Sequence, residues 1–212
     1  MLDAINWDTY WLYVATEAAL SLSPGPAVLL VVATGMSLGA RRSIYAALGI
    51  LSANALYFTL SATALGALLL ASPGFFRAVQ WLGAAYLVWI GVRALLGHPT
   101  PLRVNDAGAR ATRPVGIWLA GLTLQLANPK TLIFFAAILP QFVDPARPVG
   151  AQMLWLAAGS IVPEFFILAG YGWLGARAAG LMGDERYALW TERAAGVLVL
   201  VVAALVLSVS RA

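Results

Sequence analysis

The chain has no cysteine, so disulfides, thiolate metal sites and thiol-relay chemistry are excluded. It has a single histidine, His98, too few to build an imidazole metal site. Charge is scarce as well: Asp, Glu, Lys and Arg together make up 10% of 212 residues, against about 25% in an average soluble domain. No basic run is present that would track a nucleic-acid backbone. The first 40 residues contain no Lys or Arg, but do contain Asp3, Asp8 and Glu17. A positively charged leader is therefore missing, and the first apolar segment reads as a retained span.

What fills the space is apolar: 61% of the residues are hydrophobic. A chain this short cannot hide that much apolar surface in one water-soluble core, and a bilayer supplies the missing solvent. A hydrocarbon layer of ~30 Å needs about 20 apolar helical residues. Six stretches meet that need, at 8–34, 43–70, 75–96, 114–139, 149–176 and 187–209. They are separated at Arg41-Arg42, 72–74, 97–113, 140–148 and 183–186. The runs are too long and continuous for the alternating strands of a barrel. The expected fold is an all-α integral membrane protein of six transmembrane helices.

The basic residues give the expected orientation. The first, third and fifth connections hold or flank Arg41, Arg42, Arg93, Arg103, Arg110, Arg113, Arg177, Arg186 and Arg193, while the opposite side has Arg77, Arg147 and Arg211. The richer side faces the cytoplasm, which leaves both termini on the other side. Segment 97–113 reads as a cytoplasmic linker between a first three-helix repeat, 1–96, and a second, 114–212. Pro24 and Pro129 lie 105 residues apart, each near the middle of its span. Three spans separate these equivalent points, so the repeats are expected to run in inverted directions, with the first and fourth helices broken or kinked.

Proline lacks an N–H and clashes with the preceding turn. It suits the first turn of a new helix after a Ser or Asn cap, and Ser23-Pro24 and Asn128-Pro129 both fit. A half-helix starting near the bilayer midplane presents free N–H groups that attract an anion. A substrate carboxylate is the expected occupant, with Gly25 permitting close backbone approach. A packing kink is the structural alternative. Among the ionisable residues, Glu17 shares an i, i+4, i+7 face with Ser21 and Pro24, Lys130 follows Pro129, and Glu164 shares a face with Ser160. A buried carboxylate prefers its neutral form unless paired, which makes Glu17 and Glu164 candidate proton carriers or partners of a substrate ammonium. An ion pair with Lys130 is the other reading. Asn54, Tyr57 and Ser61 lie on one face of the second span, and Gln125 and Asn128 are neighbours in the fourth. Such residues line sites or join helices by hydrogen bonds. Gly35 and Gly39 form a GxxxG spacing that suits a homodimer.

Leu22-Ser23-Pro24-Gly25-Pro26, followed by Gly35, Gly39 and then Ala46 to Asn54, resembles the N-terminal signature of the LysE/RhtB amino-acid exporters. Leu126-Ala127-Asn128-Pro129-Lys130, followed by Phe134-Phe135 and Leu139-Pro140-Gln141-Phe142, resembles the second-half signature of the same family. The resemblance covers essentially the whole chain. It implies a multi-pass protein of the bacterial inner membrane, in contact with lipid, that exports amino acids or close derivatives in exchange for protons. Members differ in substrate, from lysine or arginine to threonine, homoserine or leucine. The motifs select Ser23, Pro24, Gly25, Pro26, Asn128, Pro129 and Lys130 as substrate-binding. Asn54 and Gln125 join them, and Glu17 and Glu164 serve proton coupling, on the reading of the residues alone. With only two acids well inside the spans, Glu17 and Glu164, one of which can pair with Lys130, a neutral amino acid is the expected substrate. No cofactor, metal or nucleic-acid partner is expected. The alternative is a metal or other ion exporter on a related six-helix scaffold. An enzyme is disfavoured, because His98 sits in a Pro-rich loop and no Asp lies well inside a span.

Overall fold

The computed structural model describes residues 5–23, 25–71, 74, 92 and 113–177. Pro24, the third and sixth predicted spans apart from Val92, and the linker apart from Arg113 lie outside the described residues. The described residues form helices joined by short turns, in the order α1 (Trp7–Leu22), α2 (Pro26–Leu38), α3 (Ala40–Ala71), α4 (Pro114–Leu126), α5 (Pro129–Ile133) and α6 (Val149–Arg177). A π-helical turn, Phe134–Ile138, and a 3-10 turn, Leu139–Phe142, continue α5.

Two stretches are long and apolar enough to cross a membrane unaided, Ala40–Thr63 and Val149–Arg177. The second, at 29 residues, reaches about 43 Å as a straight helix. The others cross only as bent pairs. α1 and α2 meet at 54°, and Pro114–Leu126 meets Pro129–Phe142 at 51°. Counting each pair as one gives four spans, at the places where hydropathy predicts the first, second, fourth and fifth. Large apolar side chains such as Trp11, Val115, Leu154 and Phe166 face outward, as a lipid-facing surface requires.

Lipid is as apolar as leucine, so these helices are held by close packing and not by exclusion of water. Glycine makes the approach possible. A Cβ on Gly35 would overlap the carbonyl of Gly172, and one on Gly121 would overlap that of Ala46. Gly49 meets the carbonyl of Trp118 in the same way. Gly35 is thus committed to a contact within the chain. Gly39 ends α2 at a φ of 87° with open space around it. The GxxxG spacing therefore gives no support to a dimer.

Two apolar clusters result. One joins α1 to the π and 3-10 turns and α6 through Tyr13, Phe134, Phe142 and Leu156. The other joins α2, α3, α4 and α6 through Val31, Ala47, Ile117 and Leu168. The connection between the fourth and fifth spans is fastened by Gln152, which is 1% exposed. Its Oε1 accepts from the Asp144 N–H at 2.8 Å, and its Nε2 donates to the carbonyls of Asp144 and Arg147. Asp144 also pairs with Arg147 at 3.0 Å.

Overpacking a tight contact costs about 1–3 kcal/mol, so Gly121→Val is expected to melt well below the wild type in detergent. Gly150→Ala, where a Cβ meets nothing, is expected to melt with it. Equal melting temperatures for Gly121→Val and wild type would show that the α3–α4 seam has slack.

Candidate functional site

The two breaks come together, each bringing a problem for the backbone. A helix interrupted in lipid frees carbonyls that water cannot reach, at several kcal/mol each. At the first break, Ser23 ends α1 and Gly25 caps α2, with Pro26 at its first position. Ser23 is therefore the C-cap of α1 and not the N-cap of α2, a correction to the sequence expectation. The reason is that the chain stays extended at both Ser23 and Gly25 (ψ 121° and −175°). Lys130 Nζ donates to the carbonyls of Leu20, at 2.5 Å, and Ser23, at 3.3 Å. An ammonium there also suits the negative end of the α1 dipole. Tyr171 Oη closes a third carbonyl, that of Leu22, at 2.8 Å.

At the second break, Asn128 is the N-cap as expected. Its Oδ1 accepts from the Lys130 N–H at 3.0 Å, so this cap serves its own helix. Tyr57 Oη donates to the Leu126 carbonyl at 2.7 Å. The breaks are thus closed reciprocally. A tyrosine of the second span serves the fourth, and a tyrosine of the fifth serves the first.

From Asn128 a chain of amides runs across the bundle. Asn128 Nδ2 donates to Gln125 Oε1 at 3.1 Å, and Gln125 Nε2 donates to Asn54 Oδ1 at 2.8 Å. Asn54 Nδ2 donates to Glu164 Oε2 at 2.6 Å. Every amide points its N–H toward the carboxylate, and all four side chains are buried. Glu17 is placed separately: its Oε1 accepts from Ser160 Oγ at 2.9 Å. Ser160 and Glu164 share a face of α6 across Pro163, which cannot donate to the Gly159 carbonyl one turn back. The charge of Lys130 reaches both acids.

A cavity of about 60 Å³ lies among these groups, room for a few waters. Glu17, Glu164, Lys130, Asn54, Gln125 and Asn128 line its polar side, with Ser23 and Gly25 at the first break. Leu20, Val28, Phe134, Phe135, Ile138 and Leu168 line its apolar side, drawn from both core clusters. Of the expected site residues, Pro24 lies outside the described residues. Pro26 and Pro129 shape the breaks without lining the cavity; the other eight line it. Sequence reasoning missed Phe134 and Phe135 as lining groups, although both stand in the second signature. Among the described residues no group of three or more His, Cys, Asp or Glu comes together.

The fold and site define a multi-pass helical membrane protein with a buried, charged cavity between two interrupted spans. The chain matches the LysE type translocator family over residues 18–210 and belongs to it. It is 28% identical over 213 residues to a homoserine/homoserine lactone efflux protein of Salmonella typhimurium, covering 98% of this chain and 100% of that one. It is 34% identical over 150 residues to a leucine efflux protein of Enterobacter sp. strain 638, covering 70% of each. An uncharacterized membrane protein of Vibrio cholerae is 32% identical over 168 residues, covering 79% of this chain and 81% of that protein. No solved structure matches the chain.

Removing Lys130 leaves the carbonyls of Leu20 and Ser23 without its ammonium, at about 1–3 kcal/mol. Lys130→Met is therefore expected to lower the melting temperature in detergent more than Tyr57→Phe does. The same melting temperature as wild type would mean that the ammonium does not hold the first break.

Proposed function

We propose that this protein exports neutral amino acids from the cytoplasm by exchange against protons. The observation that carries the reading is the composition of the cavity, which complements each part of an amino-acid zwitterion. The N-terminus of α2 has no side-chain cap, and Lys130 lies beside it at Gly25. Together they offer positive potential to an α-carboxylate. Glu164 and Glu17 offer negative charge to the ammonium. Phe134, Phe135 and Leu168 offer an apolar wall to the side chain. The names of the relatives, homoserine and leucine efflux proteins, support a substrate whose side chain is uncharged.

Charge balance supports the coupling. Two carboxylates and one ammonium in a buried cavity are neutral only when the pair of acids holds one proton. The substrate ammonium takes the place of that proton beside the carboxylates, the proton leaving to the cytoplasm, so substrate and proton occupy the site in turn. Glu164, at the end of the amide chain that starts at the second break, is the acid whose protonation the substrate site senses. Release on the outer side then follows protonation, and the empty site returns with its proton. Alternating access rocks one half of the chain against the other. We place both termini on the outer side, on the arginine distribution. We assign residues 1–96 and 114–212 to inverted three-helix repeats joined by a cytoplasmic linker, a reading supported by the reciprocal tyrosines.

In proteoliposomes, labelled leucine or homoserine is expected to move against an imposed proton gradient, and labelled lysine is not. Movement of none of the three would end the reading. Glu164→Gln is expected to cut gradient-driven export about tenfold while leaving leucine–leucine exchange in place. An unchanged pH dependence in Glu164→Gln would remove that residue's coupling role.

A further inference from the structure

The seam between α1 and the first part of α6 carries polar groups that its apolar setting does not use. Tyr13 stands one turn before Glu17 and is wholly buried. Its ring packs against Phe142 and Phe134, at centroid separations of 5.2 and 6.3 Å. Its hydroxyl lies beside Ser160, whose own proton goes to Glu17, and makes no hydrogen bond of good geometry. Nearer the start of α6, Trp155 buries an indole N–H that is also without a partner. These are the two buried side-chain polar atoms left unpaired among the described residues, and both fall on this seam. Tyr10 adds a third polar group, its hydroxyl lying against Gly159, where a Cβ would meet it at 3.0 Å. The rings of Trp7, Tyr10 and Trp155 pack edge to face at the outer end. None of Tyr10, Tyr13, Trp155 and Ser160 lines the cavity, whereas Glu17 does.

An unpaired buried donor marks a place where a water completes the bonding. Two in succession, ending at a serine that donates to a carboxylate, mark a file of waters. We propose that this seam is a proton path to Glu17 from the face where α1 begins, separate from the substrate cavity, with Tyr13 as its relay. A water beside Trp155 gives a proton to the Tyr13 hydroxyl oxygen as that hydroxyl passes its own proton to Ser160, and the water takes a proton in turn from the outer solution. Ser160 passes its hydroxyl proton to Glu17 Oε1. Each hydroxyl gives one proton and receives one, and Glu17 gains one. The titratable and charged groups facing Tyr13 are Tyr10 and Glu17 on its own helix and Glu164 on α6, with Lys130 beyond Glu17. The two acids thus divide the work: Glu164 answers to the substrate through the amides, and Glu17 to the outer solution through Tyr13. Tyr13 is a positioning residue that acts through Ser160.

The path rests on the proton-exchange reading above, and its test separates the two. Tyr13→Phe removes one oxygen and keeps the ring. In proteoliposomes loaded with labelled leucine or homoserine, it is expected to slow proton-driven export and dye-reported proton flux about tenfold, with exchange at equal pH within about twofold of wild type. Coupled export by the wild type with an unchanged Tyr13→Phe would overturn the path alone. Wild-type exchange without proton movement would overturn the coupling and the path together. A measurement on the wild type needs no variant to fold: X-ray-generated hydroxyl radicals label side chains beside bound water. Tyr13 and Trp155 are expected to be labelled despite their burial, at rates near that of Met36, which is exposed where α2 ends. An unlabelled Tyr13 beside a labelled Met36 would show a dry seam and overturn the path.

Discussion

An ammonium held against the carbonyls of an interrupted helix is the contact on which the rest of this molecule depends. The first span cannot be broken in lipid unless something replaces the lost intrahelical bonds. Lys130 does so at Leu20 and Ser23, and it comes from the second break. Each interruption is thereby tied to the other. The proline that starts α5 sets where Lys130 begins, and Lys130 in turn fixes how α1 ends. A charge that would be costly alone in the bilayer is satisfied by backbone dipoles. It still lies close enough to Glu17 and Glu164 to act on both.

The amide chain extends this tie into the second and fifth spans. Asn128, Gln125, Asn54 and Glu164 are bonded in sequence with their N–H groups aimed one way. A change at either end is felt along it, because an amide that turns over to face one neighbour no longer serves the other. Every span described contributes a polar group to the cavity or to its support, so the site exists only in the assembled bundle. Glycine contacts between backbones make that assembly close enough for side chains as short as Asn54 and Ser160 to reach across.

The first, second, fourth and fifth spans were legible in the sequence because lipid asks for a long apolar run in each of them. The breaks were legible because proline and its cap have a fixed chemistry, and Asn128 caps α5 as that chemistry requires. Ser23 was misplaced because a Ser before a Pro looks the same whether it ends one helix or starts the next. The partners of the freed carbonyls were not legible. Tyr57 with Leu126 and Tyr171 with Leu22 join residues 69 and 149 apart in the chain, and no local pattern encodes which tyrosine meets which carbonyl. Asn54 and Glu164 were chosen for being polar in apolar surroundings. Their pairing across 110 residues is a property of helix packing that hydropathy does not contain. Phe134 and Phe135 entered only as part of the second signature, because two adjacent aromatics in an apolar run carry no sign of a cavity; they are core on one side and cavity wall on the other.

Gln152 bears on how the bundle can move. Its three bonds clamp the corner between the fourth and fifth spans, so the ends of those two spans that meet there cannot part. At that corner, then, the protein has a pivot and not a door. The start of α1 rests on that same corner through edge-to-face contacts of Trp7 and Tyr10 with Trp155, so a mouth on this face opens by rings parting from rings, while the clamp beside them stays shut.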